Sequence, residues 1–219
     1  SWIADGICDD GTQYKYDFMC NALQFDGGDC DATPAPASPG GQDLTTSVPY
    51  FYQYANSLYP SASCQNTSLA MVLTHYGWVG TPDDITAKWG KNVAQSPAGL
   101  AKVFNDYAQQ AGIVQRLKAH TNGTLAGLKS LLAAGNPVIV HGYFTSYGHV
   151  VVTLGFNGSS YTVHDPAGKW SQAFKGGYPY GGGTTAGKGA SYAKNAFEVA
   201  VSSLNGSDYA PLWYHEITQ

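Results

Sequence analysis

Cys64 stands in the segment Ser63-Cys64-Gln65-Asn66-Thr67-Ser68-Leu69-Ala70-Met71-Val72-Leu73, which sets a single thiol at the start of a strongly apolar helix. The amino end of a helix favours negative charge, so a thiol placed there tends toward the nucleophilic thiolate. Leu69, Val72, Leu73 and Tyr76 recur at helical spacing and predict a buried stripe that aims the sulfur, with Gly77 as the expected terminator. A nucleophile needs a base and an orienting group, and the chain offers Gly148-His149-Val150-Val151-Val152 and then His164-Asp165-Pro166. The β-branched run after His149 predicts a strand, and Tyr161 to His164 its neighbour beyond a turn at Asn157-Gly158. Adjacent antiparallel strands would bring His149 and Asp165 side by side. The imidazole could then take the thiol proton while the carboxylate holds its tautomer. Taken singly, Cys64 could be a small core residue or half of a disulfide, His149 a strand histidine, and Asp165 the start of a turn. The order Cys, His, Asp is what points to chemistry.

These residues resemble a known family. Val48-Pro49-Tyr50-Phe51-Tyr52-Gln53, Cys64 to Gly77, Gly148 to Val152 and Asp165-Pro166 are similar to the bacteriocin-leader-peptidase-like, or double-glycine peptidase-like, branch of the papain-like cysteine peptidases. The resemblance implies Cys64 as nucleophile, His149 as general base and acid, and Asp165 as orienting residue. It also implies that Gln53 donates its side-chain amide to the oxyanion, beside the main-chain amide of Cys64. The family usually carries Gly-Pro after the cysteine, where this chain has Gln65-Asn66. Either side chain could intrude on the oxyanion hole or add a donor there.

The charge of the chain is unevenly placed. Asp5, Asp9, Asp10, Asp17, Asp26, Asp29 and Asp31 crowd the start against Lys15 alone, together with Cys8, Cys20 and Cys30. A segment this short cannot build its own core, and disulfides or a bound cation are the usual remedy. Trp2 to Asp10, Cys20-Asn21 and Phe25-Asp26-Gly27-Gly28-Asp29-Cys30 resemble the LNR module of Notch receptors and pappalysins. The resemblance implies calcium held by Asp26, Asp29 and Asn21, with Asp9 or Asp10 as a further ligand. Three cysteines allow at most one internal bridge, and a bridge from this module to Cys64 would silence the thiol.

Residues 1–31 are therefore expected to form an acidic calcium module, 32–44 a Pro/Ala/Gly linker, and 45–219 the catalytic domain. Within that domain, Ser96-Pro97 starts a helix with Leu100, Val103, Phe104, Tyr107 and Ala111 on one face, ended by Gly112. Thr124 caps another, with Leu125, Leu128, Leu131 and Leu132, stopping at Gly135. Pro137–His141, His149–Phe156, Tyr161–His164, Ala196–Val201 and Leu212–Ile217 read as strands. Helices followed by an antiparallel sheet make an α+β architecture, and the family resemblance implies that it is papain-like. The Gly- and Tyr-rich stretch from Ala167 to Ala193 follows Asp165 directly. Trp170, Phe174, Tyr178 and Tyr180 are its candidate substrate-contacting aromatics, the plainer reading being a surface loop packed on itself.

The composition, 43% hydrophobic and 12% charged over 219 residues, supports a substantial core, and a net charge of -4 gives no reason to expect nucleic acid. No apolar run approaches a membrane span. The chain opens at Ser1 without a methionine, which reads as a processed or trimmed form, and secretion is expected. The favoured function is a secreted thiol hydrolase acting on a peptide or related amide bond, as a monomer and with no cofactor in the chemistry. An amidase or transpeptidase could use the same triad. The other classes are a metal hydrolase built on His141, His149, His164 and Asp165, and a non-catalytic adhesion or interaction protein. Calcium should raise the melting temperature of the whole chain, and the double change Asp26→Ala with Asp29→Ala should abolish that shift in a thermal melt.

Overall fold

The computed structural model describes residues 44–179, 183–202 and 211–219. The acidic segment with Asp9, Asn21, Asp26 and Asp29, and nearly all of the linker, lie outside the described residues, as does Tyr180. A short helix α1 (Leu44–Ser47) leads through two 3-10 turns, Gln53–Ala55 and Pro60–Ala62, into α2 (Cys64–His75). Next come α3 (Pro82–Trp89), α4 (Pro97–Gln110), β1 (Arg116–Gly123), α5 (Leu125–Ala133), β2 (Val138–Gly142), β3 (His149–Phe156), β4 (Ser160–His164), β5 (Ala190–Ala193), α6 (Lys194–Ser202) and β6 (Leu212–Thr218).

Local chemistry sets most of these boundaries. Thr81 and Asp84 form a reciprocal capping box before α3, with Pro82 in the first turn. Ser96 and Thr124 cap α4 and α5 by accepting from the amides of Gly99 and Gly127 at 3.1 and 3.0 Å. Gly77, at φ +98°, ends α2, a backbone angle that side chains other than glycine resist. α2 is buried on every side from Gln65 to Leu73 rather than along one stripe, and it forms the middle of the helical layer.

The strands make one six-stranded sheet in the order β1-β6-β2-β3-β4-β5, antiparallel throughout. Alternation sends Ile139, Val150, Val152 and Leu154 into a core with α2 and α4, and Val138, Val140, Val151 and Val163 into a second core that includes Leu128 and Phe197. A sheet covered on both faces explains the unbroken burial from His149 to Leu154. Asn157 closes the β3–β4 turn by accepting from the amides of Ser159 and Ser160.

Four elements differ from the sequence reading. Ala196–Val201, expected as a strand, lies in α6, where Phe197, Ala200 and Val201 are buried at helical spacing. A short apolar run fits either period, and packing against the sheet decides it. β1 and α3 carry too little apolar patterning to announce themselves: β1 buries only Leu117 and Gly123. The Ala167–Ala193 stretch is not wholly loop, because β5 adds an edge strand beside β4.

The turn after β4 is packed tightly. A Cβ on Gly187 would stand 2.0 Å from the Asp165 carbonyl oxygen and 2.7 Å from the Tyr50 hydroxyl, whereas one on Gly155 would meet nothing within 4 Å. Gly187→Ala should therefore cost about 1–3 kcal/mol, typical of overpacking. In a thermal melt that is roughly 2–4 °C per kcal/mol for a domain of this size. Gly155→Ala serves as the control for an added methyl in open space.

Candidate active site

Cys64 is the first residue of α2, a free and partly exposed thiol at the positive end of the helix. It opens onto a cleft of about 430 Å³ whose walls include Gln65, Tyr143, Tyr147, His149 and Trp213. β3 begins at His149, whose ring packs edge-on against Phe144 and Tyr178. Ser68, one turn into α2, donates its hydroxyl to the Val150 carbonyl at 3.0 Å, which fixes the helix against the strand that carries His149.

The Nε2 atom of His149 is 2.8 Å from Asp165 Oδ1, and the Cys64 sulfur is near enough to act on the charge of the same ring. With Nε2 committed to the carboxylate, Nδ1 is the nitrogen left for the thiol. Burial by itself would strip the proton from this imidazole, but the Asp165 and Cys64 charges and hydrogen bonds outweigh it and push the pKa up to about 10.

Asp165 is fully buried. Oδ1 also accepts from the Ala167 amide at 3.0 Å, and Oδ2 accepts the hydroxyls of Tyr178 and Tyr192, each at 2.8 Å. Its main chain is equally confined: the amide donates to the Gly187 carbonyl at 2.9 Å, and the carbonyl accepts from Tyr50 at 2.9 Å. Burial first, and the neighbouring Asp165 next, push the Tyr178 phenol well above its ordinary value and raise that of Tyr192, so both remain donors.

Gln53 is buried, and its amide nitrogen donates to the Pro60 carbonyl at 2.9 Å, leaving one N–H uncommitted. Its main-chain amide bonds the Pro166 carbonyl at 2.8 Å, which ties the Gln53 turn to the residue after Asp165. The Gln65-Asn66 pair has definite places. Asn66 turns away to Thr86 and the Gly90 carbonyl at 2.9 and 3.1 Å. Gln65 Nε2 donates to the carbonyls of Ala62 and Lys91, so Oε1 faces Cys64 Sγ at 3.2 Å. Gln65 therefore sets an acceptor beside the sulfur, not a donor for an oxyanion.

The aromatic expectations divide. Trp170, expected to touch substrate, is 1% exposed and packs edge-on against Phe144 and Tyr192. Its indole belongs to the second core, beside Phe144, Tyr192 and Phe197. Tyr178 reaches the His149–Asp165 pair and not the cleft wall, bound to Asp165 and edge-on to the His149 ring, with centroids 5.2 Å apart. Cleft residues the sequence reading missed are Tyr143, Tyr147 and Trp213; the position of Tyr147, two residues before His149, was the available signal. Nothing in the spacing marks Tyr192 or Tyr50 as partners of Asp165.

The metal-hydrolase reading fails on geometry. His164 is taken up by the Val48 carbonyl and the Gly189 amide at 3.0 and 2.9 Å, and His141 lies against the His215 ring. Burial, with His215 adding to it, drives the His141 pKa down to about 3. Among the described residues no three His, Cys, Asp or Glu side chains converge on a metal position. No helix among them is long and apolar enough to cross a membrane.

The sequence profile of the Peptidase_C39 like family matches residues 45–196. A solved structure described as a C39-like peptidase from Bacillus anthracis is similar over 80% of this chain and 96% of its own, with TM-score 0.54 and 16% identity. A double glycine motif protease from an AMS/PCAT transporter, solved in complex with the leader peptide, covers 84% of this chain and 96% of its own, with TM-score 0.50 and 18% identity. No curated protein matches the chain.

Folding raises the proton affinity of His149. The protonated imidazole therefore stabilises the fold fully below the ordinary histidine value of 6.5, and that contribution fades as pH climbs toward about 10. The melting temperature of the wild type should fall across that window. In His149→Phe the same scan should be distinctly flatter.

Proposed function

Starting from the fact that the chain belongs to the Peptidase_C39-like family, we propose that it is a cysteine hydrolase that cleaves peptide bonds through Cys64, His149 and Asp165. The observation that carries this reading is the His149 Nε2 to Asp165 Oδ1 hydrogen bond at 2.8 Å, with the Cys64 sulfur close enough to act on the same ring.

His149 Nδ1 takes the thiol proton, and Sγ attacks the substrate carbonyl carbon, whose π electrons move onto oxygen. The oxyanion is met by the main-chain N–H of Cys64, at the start of a helix whose dipole favours it, and by the second N–H of Gln53. Collapse of the tetrahedral adduct breaks the C–N bond, and His149 passes its proton to the departing amine. Water, activated by the now neutral imidazole, then hydrolyses the thioester and restores the thiol. Asp165 keeps Nδ1 aimed at sulfur throughout and supports the imidazolium.

The relative solved with a leader peptide supports a peptide substrate here. Secretion and a calcium-stabilised first module belong to the same reading and rest on the acidic, three-cysteine start of the chain.

The test is a mass-spectrometric screen of a peptide library against the wild type and Cys64→Ala. New termini should appear with the wild type and be lost with the variant. Alkylation of the wild type by iodoacetamide should fall on Cys64 and remove the cleavage in parallel. Equal cleavage by Cys64→Ala would end the reading.

A further inference from the structure

Asp165 Oδ2 receives two phenol hydroxyls, and their settings differ. Tyr192 is fully buried on β5, and its oxygen also accepts from the Trp170 amide at 2.9 Å, so it belongs to the framework. Tyr178 is only half-buried and has a double contact with the catalytic pair: its hydroxyl on Oδ2 at 2.8 Å, and its ring edge-on to the imidazole at 5.2 Å and 66°. The loop that delivers it is fastened to the β2–β3 connection, where Lys175 and Gly177 donate to the carbonyls of Tyr143 and Phe144, each at 2.9 Å. A paired bridge joins Thr145 to Gly176. That connection also supplies the cleft residues Tyr143 and Tyr147.

We propose that Tyr178 is a positioning residue for the His149–Asp165 pair, its hydroxyl sharing the charge of Oδ2 and its ring shutting water away from the imidazole. The inference rests on the cysteine-hydrolase reading and adds to it a group that sets the proton affinity of the base. The two parts of the side chain act in different ways. A donor on Oδ2 draws charge away from the carboxylate and weakens its hold on the imidazolium, whereas a ring that excludes water strengthens every charge interaction behind it. A residue that only filled space would do neither.

The experiment follows His149 directly, by NMR titration of protein labelled at the histidine ring carbons, the resonance being assigned by its loss in His149→Gln. Tyr178→Phe keeps the ring and removes the hydroxyl, and should move the His149 midpoint up by about half a pH unit. Tyr178→Ala removes both, and the midpoint should shift by an amount distinct from that of Tyr178→Phe, because admitted water relieves the burial that disfavours the imidazolium while it screens the charges around it. On a cleaved peptide both variants should lower kcat with KM little changed, since the contact is to the base and not to the substrate. Midpoints equal to the wild type in both variants, or a change confined to KM, would overturn the proposal. Tyr178→Phe is nearly isosteric, and a melting curve within a few degrees of the wild type shows that its titration reports on the folded protein. Failure of the underlying reading looks different: Cys64→Ala would cleave peptides as well as the wild type whatever the Tyr178 variants do.

Discussion

A carboxylate with no exposure to solvent is tolerated only if donors surround it, and Asp165 is the group on which the rest of this structure depends. Its two oxygens take four hydrogen bonds, from His149, the Ala167 amide, Tyr178 and Tyr192. Those donors come from β3, from the turn after β4, from the loop beyond it and from β5. Tyr50, far upstream, closes the backbone of the same residue. The geometry tolerates little change of chemistry: an amide in place of the carboxylate would turn its own N–H groups toward donors on one side. Orientation of the imidazole is thus a by-product of satisfying a buried charge.

The sulfur is held by an independent set of contacts. α2 is enclosed on all sides, and its polar residues are tied inward: Ser68 to β3, Asn66 to Thr86, and Asn56 across to Ser63 and Thr67 at 3.0 and 2.9 Å. Cys64 and His149 therefore sit on two elements, α2 and β3, joined by the Ser68 contact. Gln65 is the exception to the expected chemistry of this helix start. Its oxygen, locked toward Sγ by two carbonyl partners, gives the resting thiol an acceptor other than the imidazole.

What could be read from residues alone follows from how local each signal is. The helix start at Cys64, the strand from His149 and the meeting of His149 with Asp165 were legible because a helix start, a β-branched strand and an Asp-Pro turn each announce themselves within a few residues, and the hairpin between the last two is short. Caps at Ser96 and Thr124 were legible for the same reason. α6 was misread as a strand because Phe197, Ala200 and Val201 satisfy both periods until the sheet is there to receive them. Trp170 was misread because an aromatic in a Gly-rich stretch looks exposed, while its burial depends on Phe144 and Tyr192 more than twenty positions away on either side. The hydroxyls of Tyr50 and Tyr192 carry no local pattern, being 115 and 27 residues from the atoms they bind.

The sheet order places β6, the final strand in the chain, between β1 and β2. While Leu212–Thr218 is still inside a ribosome, β1 has no neighbour and β2 shows a bare edge, so the sheet of a nascent chain is split. Trp213, a wall of the cleft, rides on that same strand. Synthesis therefore delivers the thiol, the imidazole and the carboxylate before Trp213, the last wall of the cleft to emerge. Such non-local closure is slow compared with helix formation, and it leaves an interval in which the growing polypeptide is complete in its reactive groups yet has no finished cleft.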